Sequence, residues 1–139
     1  MPIRPENRHR YPPDWKAISL RIRKERAKDR CEQCGAPNGQ IIARGMYEHE
    51  GYYMLERGDV YDANTGERVG IARGSEFPAN YIKVVLTVAH LDHTPENCAD
   101  DNLKALCQRC HNRYDAATRR RGMAERARAQ KAAGDLFRP

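Results

Sequence analysis

Apolar residues recur along the chain in several rhythms, and each rhythm predicts a different element. Trp15, Ile18 and Ile22 repeat at helical spacing among charged residues, which predicts an amphipathic helix from Trp15 to about Asp29. Asp14, following Pro12 and Pro13, is placed to cap it, and Arg21, Lys24 and Lys28 give it a cationic exterior. Short apolar clusters then appear at Ile41-Ile42, Tyr52-Tyr53-Met54-Leu55, Val60-Tyr61 and Val69-Gly70-Ile71, predicting two or three β segments. Asp62-Ala63-Asn64-Thr65-Gly66-Glu67 between them reads as a hairpin turn. From Tyr81 to Leu91 the residues Ile82, Val84, Val85, Leu86 and Val88 favour a single strand. His93-Thr94-Pro95-Glu96-Asn97 ends it, because proline cannot continue a central strand. Asn102 to Leu106 is expected to return as a short strand, and a helix is expected from about Gln108. Strong helix formers fill Ala116 to Ala133, Gly122 apart. These elements predict a small α+β domain: an N-terminal helix, a β-rich insertion, a hairpin leading into a helix, and a long basic C-terminal helix.

Composition narrows the picture. A chain of 139 residues suits one domain. With 40% hydrophobic residues and a mean hydropathy of −0.90, its core must be small and in need of a staple. No apolar run approaches the roughly 18 residues that span a bilayer. The opening residues have no apolar stretch of the kind that marks a secretory signal. A cytoplasmic protein without a membrane partner is therefore expected.

The net charge of +6 is unevenly spread. Residues 1–30 hold ten basic and four acidic side chains, residues 31–115 eight and thirteen, and residues 116–139 seven and two. This divides the chain into a basic arm with its helix (1–30), a core (31–115, with the β-rich insertion at about 40–80) and a basic helical tail (116–139). Basic arms suit a phosphate backbone and an acidic centre suits a cation, although charged solvated helices would look the same. Arg113, Arg119, Arg120 and Arg121, with Arg126 and Arg128 beyond them, are the candidate nucleic-acid contacts, unless the tail serves only solubility. Phe137 near the end either docks or serves no role. Tyr47, Tyr52, Tyr53 and Tyr61 either cover a small core or offer rings on which bases stack.

Four of the five cysteines form two pairs of equal spacing, Cys31-x-x-Cys34 and Cys107-x-x-Cys110. Two such knuckles can make a closed tetrahedral thiolate cage for Zn²⁺. With 72 residues between the pairs, that zinc would pin distant parts of the chain together. A redox dithiol needs only one pair and usually sits in a βαβ setting, and disulfides are disfavoured without secretion. Cys98 stands apart as a free thiol.

Beside the second knuckle lie His90-Leu91-Asp92-His93, Asn102-Leu103, and Leu106-Cys107-Gln108-Arg109-Cys110-His111, followed by Asp115. His111 and Asp115 fall at i and i+4 on one helix face. Carboxylates and a histidine together suit a hard or borderline divalent cation, and an adjacent histidine can take a proton near neutral pH. His90 either joins this site or packs beneath it. His111 follows Cys110 directly, so it is also a conceivable replacement for a cysteine in the cage.

This string resembles the HNH endonuclease family, the zinc-stapled branch of the ββα-metal nucleases. The resemblance covers residues 31–34 and 84–115, and residues 35–83 form a longer insertion than compact members carry. It implies His93 as general base, Asp92 before it and His111 as ligands of a catalytic cation, Asn102 as a brace for the catalytic loop, and Asp115 as a further ligand. It also implies a structural zinc at Cys31, Cys34, Cys107 and Cys110. The expected catalytic cation is Mg²⁺ or Mn²⁺, with Ni²⁺, Co²⁺ or Zn²⁺ admitted by the histidine ligand, and the expected partner is DNA. Resembling proteins are common in phages and in mobile or defence systems. The sequence shows no clear dimer seam, leaving monomer and weak dimer open. The rival readings are a zinc-stabilised nucleic-acid-binding module without catalysis and a thiol redox protein.

Overall fold

The insertion folds into strands β1 (Ile41–Gly45), β2 (Tyr52–Met54), β3 (Asp59–Asp62) and β4 (Arg68–Ile71), joined by β5 (Ala79–Lys83) immediately after it. In the computed structural model, which describes residues 3–136, these five make one antiparallel sheet in the order β4-β3-β2-β1-β5. Side chains alternate across a strand. Ile42, Tyr53, Tyr61 and Ile82 accordingly face the main core, while Ala43, Met54 and Val60 turn to the other side under Phe77. The turn read from Asp62 to Glu67 joins β3 to β4. Its Asp62 carboxylate accepts the backbone N–H of Asn64 at 2.7 Å and of Thr65 at 3.2 Å. Gly66 takes φ +79°, and a Cβ there would lie 2.9 Å from the Cys34 carbonyl oxygen, so the turn is seated on the first knuckle.

The stretch from Tyr81 to Leu91 is two strands rather than the one its composition suggests. β5 ends at Lys83, and β6 (Thr87–His90) begins a separate hairpin with β7 (Leu103–Leu106). Between them the chain passes from one sheet to the other. Val84 N–H reaches the Gln40 carbonyl (2.9 Å), Val85 N–H the Gln108 side chain (3.1 Å) and Leu86 N–H the Asn38 side chain (3.1 Å). Val84 and Leu86 are buried, so apolar content here serves the core and not a ladder. Four strands occupy the insertion where two or three were expected.

After β7 the helix α2 runs from Gln108 to Leu136, about 43 Å at 1.5 Å per residue. From Arg119 to Ala132 it is exposed apart from Gly122, and it projects as an arm. Phe137 lies outside the described residues. β6, β7 and α2 together form the ββα unit that carries the candidate site.

At the other end, α1 (Trp15–Arg21) widens into a π turn over Ile22–Arg26, so it is shorter than the spacing predicts. Lys28 and Asp29 adopt φ of 55° and 58°, which stops the helix. Asp14 makes no side-chain capping bond. The apolar seam is as expected: Ile22 is wholly buried and Trp15 and Ile18 pack beside it. The exterior is less cationic than composition implied, because Arg21 pairs with Asp100 at 2.6 Å and Lys24 with Asp29 at 2.7 Å. Among the described residues no helix is long and apolar enough to cross a membrane.

Candidate active site and cysteine cage

The main core closes around the four paired cysteines. The first knuckle is a tight turn in which Gly35 N–H meets the Cys31 carbonyl at 2.8 Å and Cys31 N–H meets the Ala36 carbonyl at 3.0 Å. Cys107 follows β7, and Cys110 sits in the first turn of α2. All four side chains are buried, with their sulfurs within 4.8 Å of one another. A tetrahedral Zn²⁺ with 2.3 Å bonds places its sulfurs about 3.8 Å apart, and Cys34 and Cys107 stand 3.6 Å apart. The donor set and its spacing fit a structural Zn²⁺. Cys107 is held well below the ordinary thiol range, first by the hydrogen bond from Cys110, and its place before the α2 N-terminus also favours a thiolate. Cys98 lies outside the cage, 3.3 Å from the Pro95 carbonyl, and burial pushes its thiol up.

Sequence reasoning missed Arg44. Its guanidinium donates to Cys107 Sγ at 3.4 Å and lies 5.5 Å from the Tyr53 ring centre, while Nε and Nη1 are buried without a partner. A four-thiolate zinc centre carries two net negative charges, and this cation offsets one of them. No motif announces Arg44, because only strand pairing brings β1 to the cage.

His111 does not join the sulfurs. Its Nδ1 meets the Thr87 hydroxyl at 2.9 Å and its Nε2 lies 3.5 Å from Asp115 Oδ2. The other Asp115 oxygen lies 3.3 Å from His93 Nε2, so one carboxylate bridges two imidazoles. An ionised carboxylate only accepts, so in this contact His93 Nε2 is the donor. His93 takes φ +58°, a conformation uncommon for a side-chain-bearing residue, and its ring lies parallel to Tyr114 at 5.4 Å. Thr87 orients His111 from the neighbouring strand, a partnership that nothing in the linear pattern signals.

Asp92 accepts hydrogen bonds from its own loop on both carboxylate oxygens. Its Oδ1 accepts from Thr94 N–H (2.9 Å) and Asn102 Nδ2 (2.9 Å), and its Oδ2 accepts from Asn97 Nδ2 at 3.0 Å. These bonds, led by those from Asn97 and Asn102, hold its carboxyl down at about 2. Asp92 thus ties the loop, and Asp115 is the carboxylate that meets His111. Asn102 completes the brace, donating to the Asn97 carbonyl at 2.8 Å and accepting Asp92 N–H at 3.1 Å. His90 is buried, stacked on Trp15 at 4.8 Å with Tyr11 edge-on at 5.7 Å, and burial lowers its pKa.

A cavity of about 460 Å³ opens over His93, His111 and Asp115, walled by Arg4, Arg10, Tyr11 and Arg23. Arg10 pairs with Glu96 at 2.7 Å and so latches the N-terminal segment to the loop. Arg113 belongs to the opposite side of α2, where it and Arg109 grip Asn64 of the insertion turn, and it does not line this cavity. Of the tyrosines, Tyr53 is buried with its hydroxyl donating to the Cys34 carbonyl at 2.6 Å, whereas Tyr47 is exposed. No protein-family model, curated protein or solved structure matches this chain.

Proposed function

We propose that the protein is a metal-dependent endonuclease that hydrolyses DNA phosphodiester bonds. The observation that carries this reading is the Asp115 carboxylate bridging His93 and His111 at the mouth of an arginine-walled cavity. His93 Nδ1 takes a proton from water, and Asp115 steadies the imidazolium that results. The water oxygen forms a bond to phosphorus in line as the bond to the 3′ oxygen breaks, and solvent returns a proton to that oxygen. His111 Nε2 and the Asp115 oxygen 3.5 Å from it would hold a divalent cation, with Thr87 fixing the His111 ring from behind. A cation bound there, Mg²⁺ or Mn²⁺ in the first instance, supplies charge neutralisation at the phosphoryl and leaving oxygens. Asp92 and Asn102 contribute by shaping the loop that presents His93. The resemblance to HNH endonucleases implies products with 5′-phosphate and 3′-hydroxyl ends.

Plasmid nicking with added Mg²⁺ or Mn²⁺ tests this. Wild type should convert supercoiled DNA to open circles, and His93→Ala and His111→Ala should each lose at least a hundredfold in rate. Equal, undetectable nicking in all three proteins would point to a non-catalytic nucleic-acid-binding module.

A further inference from the structure

The His93–Asp115 contact is shared by two cavities. One opens toward the N-terminal segment and carries Arg4 and Arg23 on its wall. The second, about 400 Å³, opens along α2 past Arg119, Gly122 and Arg126. Both include His93 and Asp115, so the candidate site borders two cavities, each with arginines on its wall. Among the described residues, Arg4, Arg23, Arg119 and Arg126 enter no ion pair, in contrast to Arg10, Arg21 and Arg26. Gly122 lies between the two arginines of the α2 cavity, and a Cβ there would stand 3.6 Å from Arg126 Nη1, so the glycine leaves the room that this guanidinium occupies. Arg119 and Arg126 share the helix face of His111 and Asp115, whereas Arg120 and Arg121 project from other faces and line neither cavity.

We propose that the two cavities serve as one phosphate track, in which a DNA strand crosses His93 and Asp115 with its phosphates on Arg119 and Arg126 at one end and on Arg23 and Arg4 at the other. The identity of the polymer rests on the nuclease reading; the track itself does not require cleavage. At 1.5 Å per residue, Arg119 and Arg126 stand about 6 and 16 Å along α2 from Asp115. A strand following the helix at about 3.4 Å per nucleotide meets them roughly two and five nucleotides from the bond at His93. The assignment separates arginines that composition treats alike, since all lie in one basic run.

Fluorescence anisotropy of a labelled DNA duplex with the 139-residue chain, zinc retained and no other divalent ion added, tests the track. Each lost phosphate contact flattens the log K against log salt slope by about 0.9. The double variant Arg119→Gln/Arg126→Gln should flatten it by about 1.8 and weaken binding about tenfold or more at low salt. Arg120→Gln/Arg121→Gln, which removes the same charge, should shift the slope by less than about 0.5. Equal slopes for the two double variants, an unchanged slope for the first, or wild type that fails to bind DNA would overturn the track. Wild type that binds with the expected slopes and never nicks supports the track and removes the nuclease reading. Nicking with slopes indifferent to Arg119 and Arg126 does the reverse.

Discussion

Replacing Cys34 by serine should unfasten the molecule at its centre. Cys34 is wholly buried, and its link through the cage to Cys107 spans 73 positions of chain. Closing a loop of that length removes about 4.4 kcal/mol of conformational freedom from the unfolded chain on the chain-entropy model of a cross-link. For 139 residues, an unfolding entropy of about 2.1 cal/mol/K per residue converts this to a fall in Tm of about 15 °C. The knuckle also seats the Gly66 turn and receives the Tyr53 hydroxyl, so loosening it frees the insertion from the ββα unit. Circular dichroism melts of wild type, Cys34→Ser and Cys98→Ser, with zinc content measured alongside, check the prediction. Cys98 is outside the cage, and its substitution should leave both Tm and one bound zinc per chain nearly unchanged. A Cys34→Ser protein melting within about 3 °C of wild type would refute the reasoning, since the closure term alone exceeds that shift. So would wild type that carries no zinc.

Three further outcomes follow from the same geometry. Asp92 ionises at about 2 in the folded chain against an ordinary 3.8, so its contribution is complete above 3.8 and is lost as pH falls through about 2. Asp92→Asn should therefore flatten the acid limb of the stability curve across that window, and parallel urea midpoints for the two proteins would contradict the brace. Ile22→Ala empties a fully buried position beneath the hairpin and should cost about 3 kcal/mol in urea unfolding, while Leu20→Ala, half exposed on the same helix, should cost less than about 0.5. Arg44→Met removes the guanidinium beside Cys107 and should speed zinc transfer to a competing chelator about tenfold, with unchanged release rates arguing against charge compensation.

The short-range chemistry of this chain was legible before any coordinates. The paired knuckles, the Asp62–Glu67 turn, the Trp15-Ile18-Ile22 seam and the start of α2 all depend on residues within a few positions of one another. Spacing and turn preference encode such features directly. Longer-range matters were not legible. Val84, Val85 and Leu86 look like strand from their composition, yet the chain changes sheets there, because β propensity registers a residue's fit to a pleated surface and not its partner. Asp14 has a capping side chain at the right place but makes no capping bond, since the backbone entering α1 sits at ψ 19° instead of an extended angle.

The amino-acid order by itself determined which donors exist: four thiols in two knuckles, and His93, His111, Asp92 and Asp115 around the second of them. Tertiary structure alone decided how they are shared out. It set Asp92 among Asn97, Asn102 and Thr94, turned Asp115 between the two imidazoles, brought Arg44 to the sulfurs and split the basic run of α2 into a face lining the cavity beside His93 and Asp115 and faces away from it. The physical reason is that a carboxylate or a guanidinium settles where its hydrogen bonds are best satisfied, and those partners come from strands and turns far away in the chain.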